Sequence, residues 1–160
     1  MKTLLMITSA FIGLSAHALN MASVHVGESA TFNLSIGGDS NAYTLKMEVT
    51  AVDAAAGTFT ETQTIYKGTT QVQQSAMPPE SIADMDQYAQ IVDNCASAGG
   101  TPESVTVPAG TFQTCHILGS DNDGGKFDLQ IAKVPFGIAI LTQTGSDSKT
   151  LHAELTSFLN

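Results

Sequence analysis

The chain contains no arginine and no tryptophan, and only 13% of its 160 residues are charged. Six lysines face fifteen acids, a net charge of −9, so there is no basic surface to neutralise a nucleic-acid backbone or hold an anionic membrane. Nucleic acid is thereby excluded as a partner. Two cysteines are too few for a disulfide-built scaffold, and 42% hydrophobic residues are too many for a disordered chain. No apolar stretch approaches the roughly 20 residues of a membrane-spanning helix. Also missing are a glycine-rich phosphate loop, a histidine-glutamate zinc motif, a serine nucleophile elbow and a paired-cysteine redox motif. No catalytic residue, metal or cofactor is expected on this reading, which leans away from an enzyme and leaves one modest globular domain.

What is present begins with a targeting pattern. Lys2 precedes an apolar run from Leu4 to Leu14, and the small residues Ala16 and Ala18 follow two apart. That is a secretory signal peptide over 1–18, cleaved after Ala18, with a single β-rich domain over 19–160. No cysteine follows the run, so a lipid-modified amino terminus is not expected, and the expected location is periplasmic or secreted. Cleavage removes one lysine and no acid, moving the net charge from −9 to −10. The remaining chain of about 142 residues is long enough to bury roughly two thirds of its unfolded surface in one core.

An oxidising compartment favours a disulfide between Cys95 and Cys115. Closing a loop of about twenty residues would stabilise the fold by roughly 3 kcal/mol in the chain-entropy model. The competing reading makes Cys115 a thiolate with His116 as its base. Neighbours on a strand point to opposite faces, which sets these two apart.

From Ala30 to Lys67 the polarity alternates with a period of two, the signature of half-buried antiparallel strands. In Tyr43–Ala51 the residues Tyr43, Leu45, Met47, Val49 and Ala51 share one face, and Thr44, Lys46, Glu48 and Thr50 share the other. Phe59–Lys67 and Thr70–Ala76 continue as strands. Met77-Pro78-Pro79 breaks the pattern, because consecutive prolines remove amide donors and bias the preceding residues away from helix. Ser81 with Asp84 then resembles a capped helix start, and Ile82, Met85, Tyr88, Ala89, Val92 and Cys95 recur at helical spacing up to Gly99-Gly100. Further strands are expected at Ser104–Val107, Thr111–Leu118, Lys126–Lys133, Ile138–Thr144 and Lys149–Leu159. Val107-Pro108-Ala109-Gly110 and Val134-Pro135-Phe136-Gly137 both read as type I turns, with proline second and glycine fourth.

The run Glu103-Ser104-Val105-Thr106-Val107-Pro108-Ala109-Gly110-Thr111-Phe112 resembles a strand-turn-strand signature of TapB-like bacterial exported proteins. Val134–Ile138 followed by Leu151–Phe158 is similar to the closing part of the same pattern. The resemblance implies a curved antiparallel sheet or incomplete β-barrel, like the periplasmic lipoprotein carriers, in which the sheet wraps an apolar groove and one packed α-helix plugs it. Where that family often carries a tryptophan before Val134, this chain has Phe127 and Leu129.

Candidate binding residues are few. His25, His116 and His152 would hold a metal only if they converged with a carboxylate such as Glu154, and no spacing supports that. Asp121–Asp128 imitates a calcium loop but places Gly125 and Lys126 where the fifth and sixth residues should be acidic or amide and glycine, so it reads as a hairpin turn. Asn33-Leu34-Ser35 is a glycosylation acceptor that only a eukaryotic route would use. The remaining candidates are apolar strand residues. Tyr43, Leu45, Met47, Phe112, Leu118, Ile131, Ile138 and Ile140 would line a groove for an acyl chain, or else fill an ordinary core. The partner expected is accordingly a hydrophobic small molecule such as a lipid, or an envelope protein bound at the surface of a filled domain.

Overall fold

The computed structural model describes residues 24–37, 43–120, 124–146 and 148–160. The expected signal peptide over 1–18 and residues 121–123 of the calcium-like stretch lie outside them.

Among the described residues, ten strands and one helix follow in chain order: β1 Ser29–Ile36, β2 Tyr43–Asp53, β3 Thr58–Lys67, β4 Thr70–Ala76, β5 Glu80–Ser81, α1 Ile82–Asp93, β6 Thr101–Val107, β7 Gly110–Ser120, β8 Lys126–Ala132, β9 Ile138–Thr144 and β10 Thr150–Leu159. The sheet runs β4-β3-β2-β1-β10-β9-β8-β7-β6, every pairing is antiparallel, and β5 adds to β3 beside β4. It therefore consists of two meanders, β1–β4 and β6–β10, joined where β1 meets β10. β4 and β6 are its edges and do not pair, so the sheet is open rather than a closed barrel.

This topology demands curvature. The turn between β6 and β7 belongs to one edge, and β10 lies four strands in, about 19 Å away on a flat sheet. Instead the Ala109 amide donates to the Leu155 carbonyl at 3.3 Å, and the Phe112 and Phe158 rings meet edge-on with centroids 6.0 Å apart. Irregular register in four of the strand pairs, one of them between Thr31 and Phe32, supplies bends of the kind β-bulges make. The chain must also pass from the β4 edge to the β6 edge, and β5 with α1 is that crossing.

Ser81 caps α1 by accepting the Ala83 amide at 3.2 Å, with Asp84 in the first turn where negative charge suits the helix dipole. The Ile82 amide donates to the Gly57 carbonyl at 3.0 Å, tying the helix start to the β2–β3 turn. The helix ends at Asp93, so Cys95 lies in the turn just beyond it. One turn departs from expectation. Phe136 in Val134-Pro135-Phe136-Gly137 has φ +61°, which a type I turn does not allow, while the Gly137 amide still donates to Val134 O at 2.9 Å. The Phe136 side chain is buried in the core, and that burial offsets a left-handed strain of roughly 1–2 kcal/mol.

Candidate functional site

Strand register shows how the two faces differ, because directly paired residues point to the same side. One row of partners crosses six strands as Tyr43, Leu34, Ala153, Leu141, Leu129 and Ile117. Every member is apolar. The next row on this face adds Ile65, Leu45, Phe32 and Leu155, and Cys115 with Ile131 extends it on β7 and β8. α1 packs on the β7–β8 end of this face. Ile82 and Met85 join the larger core, while Ile91, Val92 and Tyr88 pack with Cys95, Cys115, Ile131, Ile117 and Leu129. Cys95 and Cys115 form the disulfide, which pins the segment following the helix to β7.

One carboxylate interrupts the apolar face. Glu61 pairs with Val49, is 3% exposed, and accepts from Gln63 Nε2 at 2.7 Å. Burial pushes its pKa up to about 7 despite that hydrogen bond, and the charge of Glu80 adds to the rise. Burial, then the charge of Asp84, raises Glu80 as well. Tyr88 sits among these acids, and burial with the charges of Glu80, Asp84 and Glu61 pushes its hydroxyl up to about 12. The amino-terminal half of α1 thus lies beside a group of acids, Glu61, Glu80 and Asp84.

The opposite face carries a polar cluster on β6–β8. Glu154, Ile140, Gln130, His116 and Thr101 form one row. His116 Nδ1 lies 3.1 Å from Glu103 Oε1 and its Nε2 lies 2.9 Å from Asp128 Oδ1. Gln130 Nε2 donates to Glu103 Oε2 at 3.1 Å, and Thr114 Oγ1 donates to Gln130 Oε1 at 2.6 Å. Burial alone would lower the His116 pKa, but the hydrogen bonds and charges of Glu103 and Asp128 together raise it. Hydrogen bonds from Gln130 and His116 hold Glu103 below the usual carboxylate range.

These two faces divide the eight candidate lining residues. Tyr43, Leu45, Met47 and Ile131 lie on the face that α1 packs against, and Ile138 stands opposite Ile131 across a bulge. Phe112, Leu118 and Ile140 fall on the other side by register, with Leu118 69% exposed. Phe112 and Ile140 still pack against the edge of the larger core, where the coiled sheet brings Phe112 to Phe158. The three candidate histidines, those among the described residues, have separate partners: His25 pairs with Glu28, His116 with Glu103 and Asp128, and His152 with Thr142. Among the described residues no group of three or more histidine, cysteine or acidic side chains is arranged to hold a metal ion. A shallow groove of about 450 Å³ at the ends of β1 and β10 is lined by His25, Val26, Gly27, Glu28, Leu159 and Asn160.

No protein-family model and no curated protein matches the sequence. Among solved structures it is similar to a Bacteroides fragilis protein inferred to be exported, at 12% identity and a TM-score of 0.57, over 85% of this chain and 97% of that one. That protein has a YmcC-like fold.

The chain shares the YmcC-like fold. In this chain the YmcC-like sheet carries two features that sequence reasoning missed, Glu61 on the apolar face and the Glu103–His116–Asp128 bridge. Glu61 was detectable as the residue in phase with Phe59 and Ile65 on β3. The bridge joins residues 13 and 12 positions apart, and nothing local announces it.

Proposed function

We propose that this is an exported, non-enzymatic binding module, periplasmic or secreted, for a lipid or other hydrophobic ligand held between α1 and the apolar face. The observation that carries the reading is the unbroken row from Tyr43 to Ile117, six apolar residues on six strands, with a helix whose only buried residues are Ile82 and Ile91 packed on its β7–β8 end. A helix held by two anchors at one end of that much apolar surface is suited to exchanging its own stripe for an acyl chain. The TapB-like resemblance supports the same reading, and the neighbour with the same fold supports only its exported part. The acids around Glu61 give the site a polarity, since an anionic head group is repelled from the amino-terminal end of α1.

A specific observation favours a second reading. Phe32, Val49, Ile131 and Leu155 are at most 1% exposed, as in a filled core, and in that case an envelope protein would bind the outer surface instead. Native mass spectrometry of protein purified from its exported compartment separates the two. The carrier reading expects a bound lipid-sized mass, and consistently bare protein selects the surface module.

A further inference from the structure

We propose that the start of β6 is a cover over the Cys95–Cys115 disulfide, latched by a doubly protonated His116 held between Glu103 and Asp128. The cover is visible at Gly100. A Cβ added there would overlap Cys115 Sγ and stand 3.0 Å from Cys95 Sγ, so this backbone lies directly on the sulfurs. Both cysteines are buried, and the Gly100 amide donates to the Cys95 carbonyl at 2.9 Å.

The segment that follows is paired by its backbone on one side only. β6 is an edge strand, and Pro102, paired with Cys115, has no amide to give the ladder. Glu103 compensates with side-chain bonds that cross β7 to reach Gln130 on β8. His116 is the centre of that fastening, joining Glu103 on β6 to Asp128 on β8.

Geometry fixes the protonation state. Carboxylates only accept hydrogen bonds, so an imidazole with one on each nitrogen needs both protons. Neutral His116 can serve only one, so its bridge between β6 and β8 breaks and Gln130 alone still ties Glu103 to β8. The groups facing it are Glu103 from β6 and Asp128, Gln130 and, two residues along, Lys126 from β8, with Thr142 and His152 beyond Asp128 on the same face. Because the two acids raise the His116 pKa, the latch is closed in acid and opens as pH climbs through that raised value.

Reduction by tris(2-carboxyethyl)phosphine under native conditions tests this. The phosphine attacks one sulfur and the S–S bond breaks. Water then supplies the oxygen of the phosphine oxide, and two thiols remain. The rate ratio of His116→Gln to wild type at each pH cancels the reagent's own pH dependence. At about pH 5.5 the variant should react about tenfold faster, the size expected for losing one charge-assisted hydrogen bond. By about pH 9 the two rates should converge, with a midpoint matching the His116 titration seen by NMR. Asp128→Ala, at an exposed position, removes the Nε2 partner outright, should repeat the result and serves if His116→Gln does not fold. Equal rates in acid, a ratio independent of pH, or a neutral imidazole by ¹⁵N shift at about pH 5.5 would each overturn the proposal.

Discussion

Tyr88 of α1 lies against Gly137, so closely that a Cβ on the glycine would overlap the Tyr88 ring at Cγ. Gly137 also has φ +70°, a left-handed conformation that side chains resist. Gly137→Ala should therefore cost about 3 kcal/mol, from left-handed strain plus displacement of the ring. Gly68, at φ +59° with open space where a Cβ would stand, supplies the strain alone, and Gly68→Ala should cost only about 1 kcal/mol. Urea unfolding of the two variants checks the difference, and equal costs would mean that Tyr88 moves aside freely.

Glu61 makes stability depend on pH in a defined direction. Its pKa rises from 4.5 to about 7 on folding, so the folded state holds the proton more tightly. Its contribution is fully present below about pH 4.5, declines as pH rises, and is lost above about pH 7, with an upper bound of roughly 3 kcal/mol. Glu61→Gln keeps an acceptor for Gln63 and removes the charge. The variant should match wild type near pH 4.5 and exceed it by about 2 kcal/mol near pH 7.5. Denaturation at both pH values is the check, and a pH-independent difference contradicts the assignment.

Replacing both cysteines by alanine should lower stability by about 3 kcal/mol, mostly by releasing the unfolded chain. The far-UV signature of the sheet should persist, because the crossing helix is also held through Ile82 and the Ser81 cap. Hydrogen exchange should loosen first at the Ile91 end of α1. Uniform loosening along the helix would show that its two ends are not independently anchored.

Much of the architecture is legible in the sequence because it rests on local patterns. Alternation in Tyr43–Ala51 marks a strand with a dry side, the helical spacing after Ser81 marks α1, and two cysteines leave one pairing. β7 shows where this stops. Phe112, Cys115, Ile117 and Leu118 are apolar on both faces of one strand, so composition does not say which side meets the helix. Register decides it: Ile117 pairs with Leu129 beneath α1, whereas Leu118 pairs with Asp128 on the polar face. The same cross-strand register creates the His116 bridge from residues that no spacing rule connects. Phe136 escapes the local pattern for a different reason, since a buried ring overrides the turn type that its neighbours favour.

A hydrophobic ligand received by the face under α1, and not by its reverse, leaves a distinct footprint in a titration of methyl-labelled protein with a spin-labelled fatty acid. Resonances of Leu34, Leu129, Leu141 and Ile117 should broaden, with Leu118 unaffected. Broadening confined to Leu118, or to Val26 and Leu159 beside the shallow terminal groove, would contradict binding under the helix, as would no broadening at all.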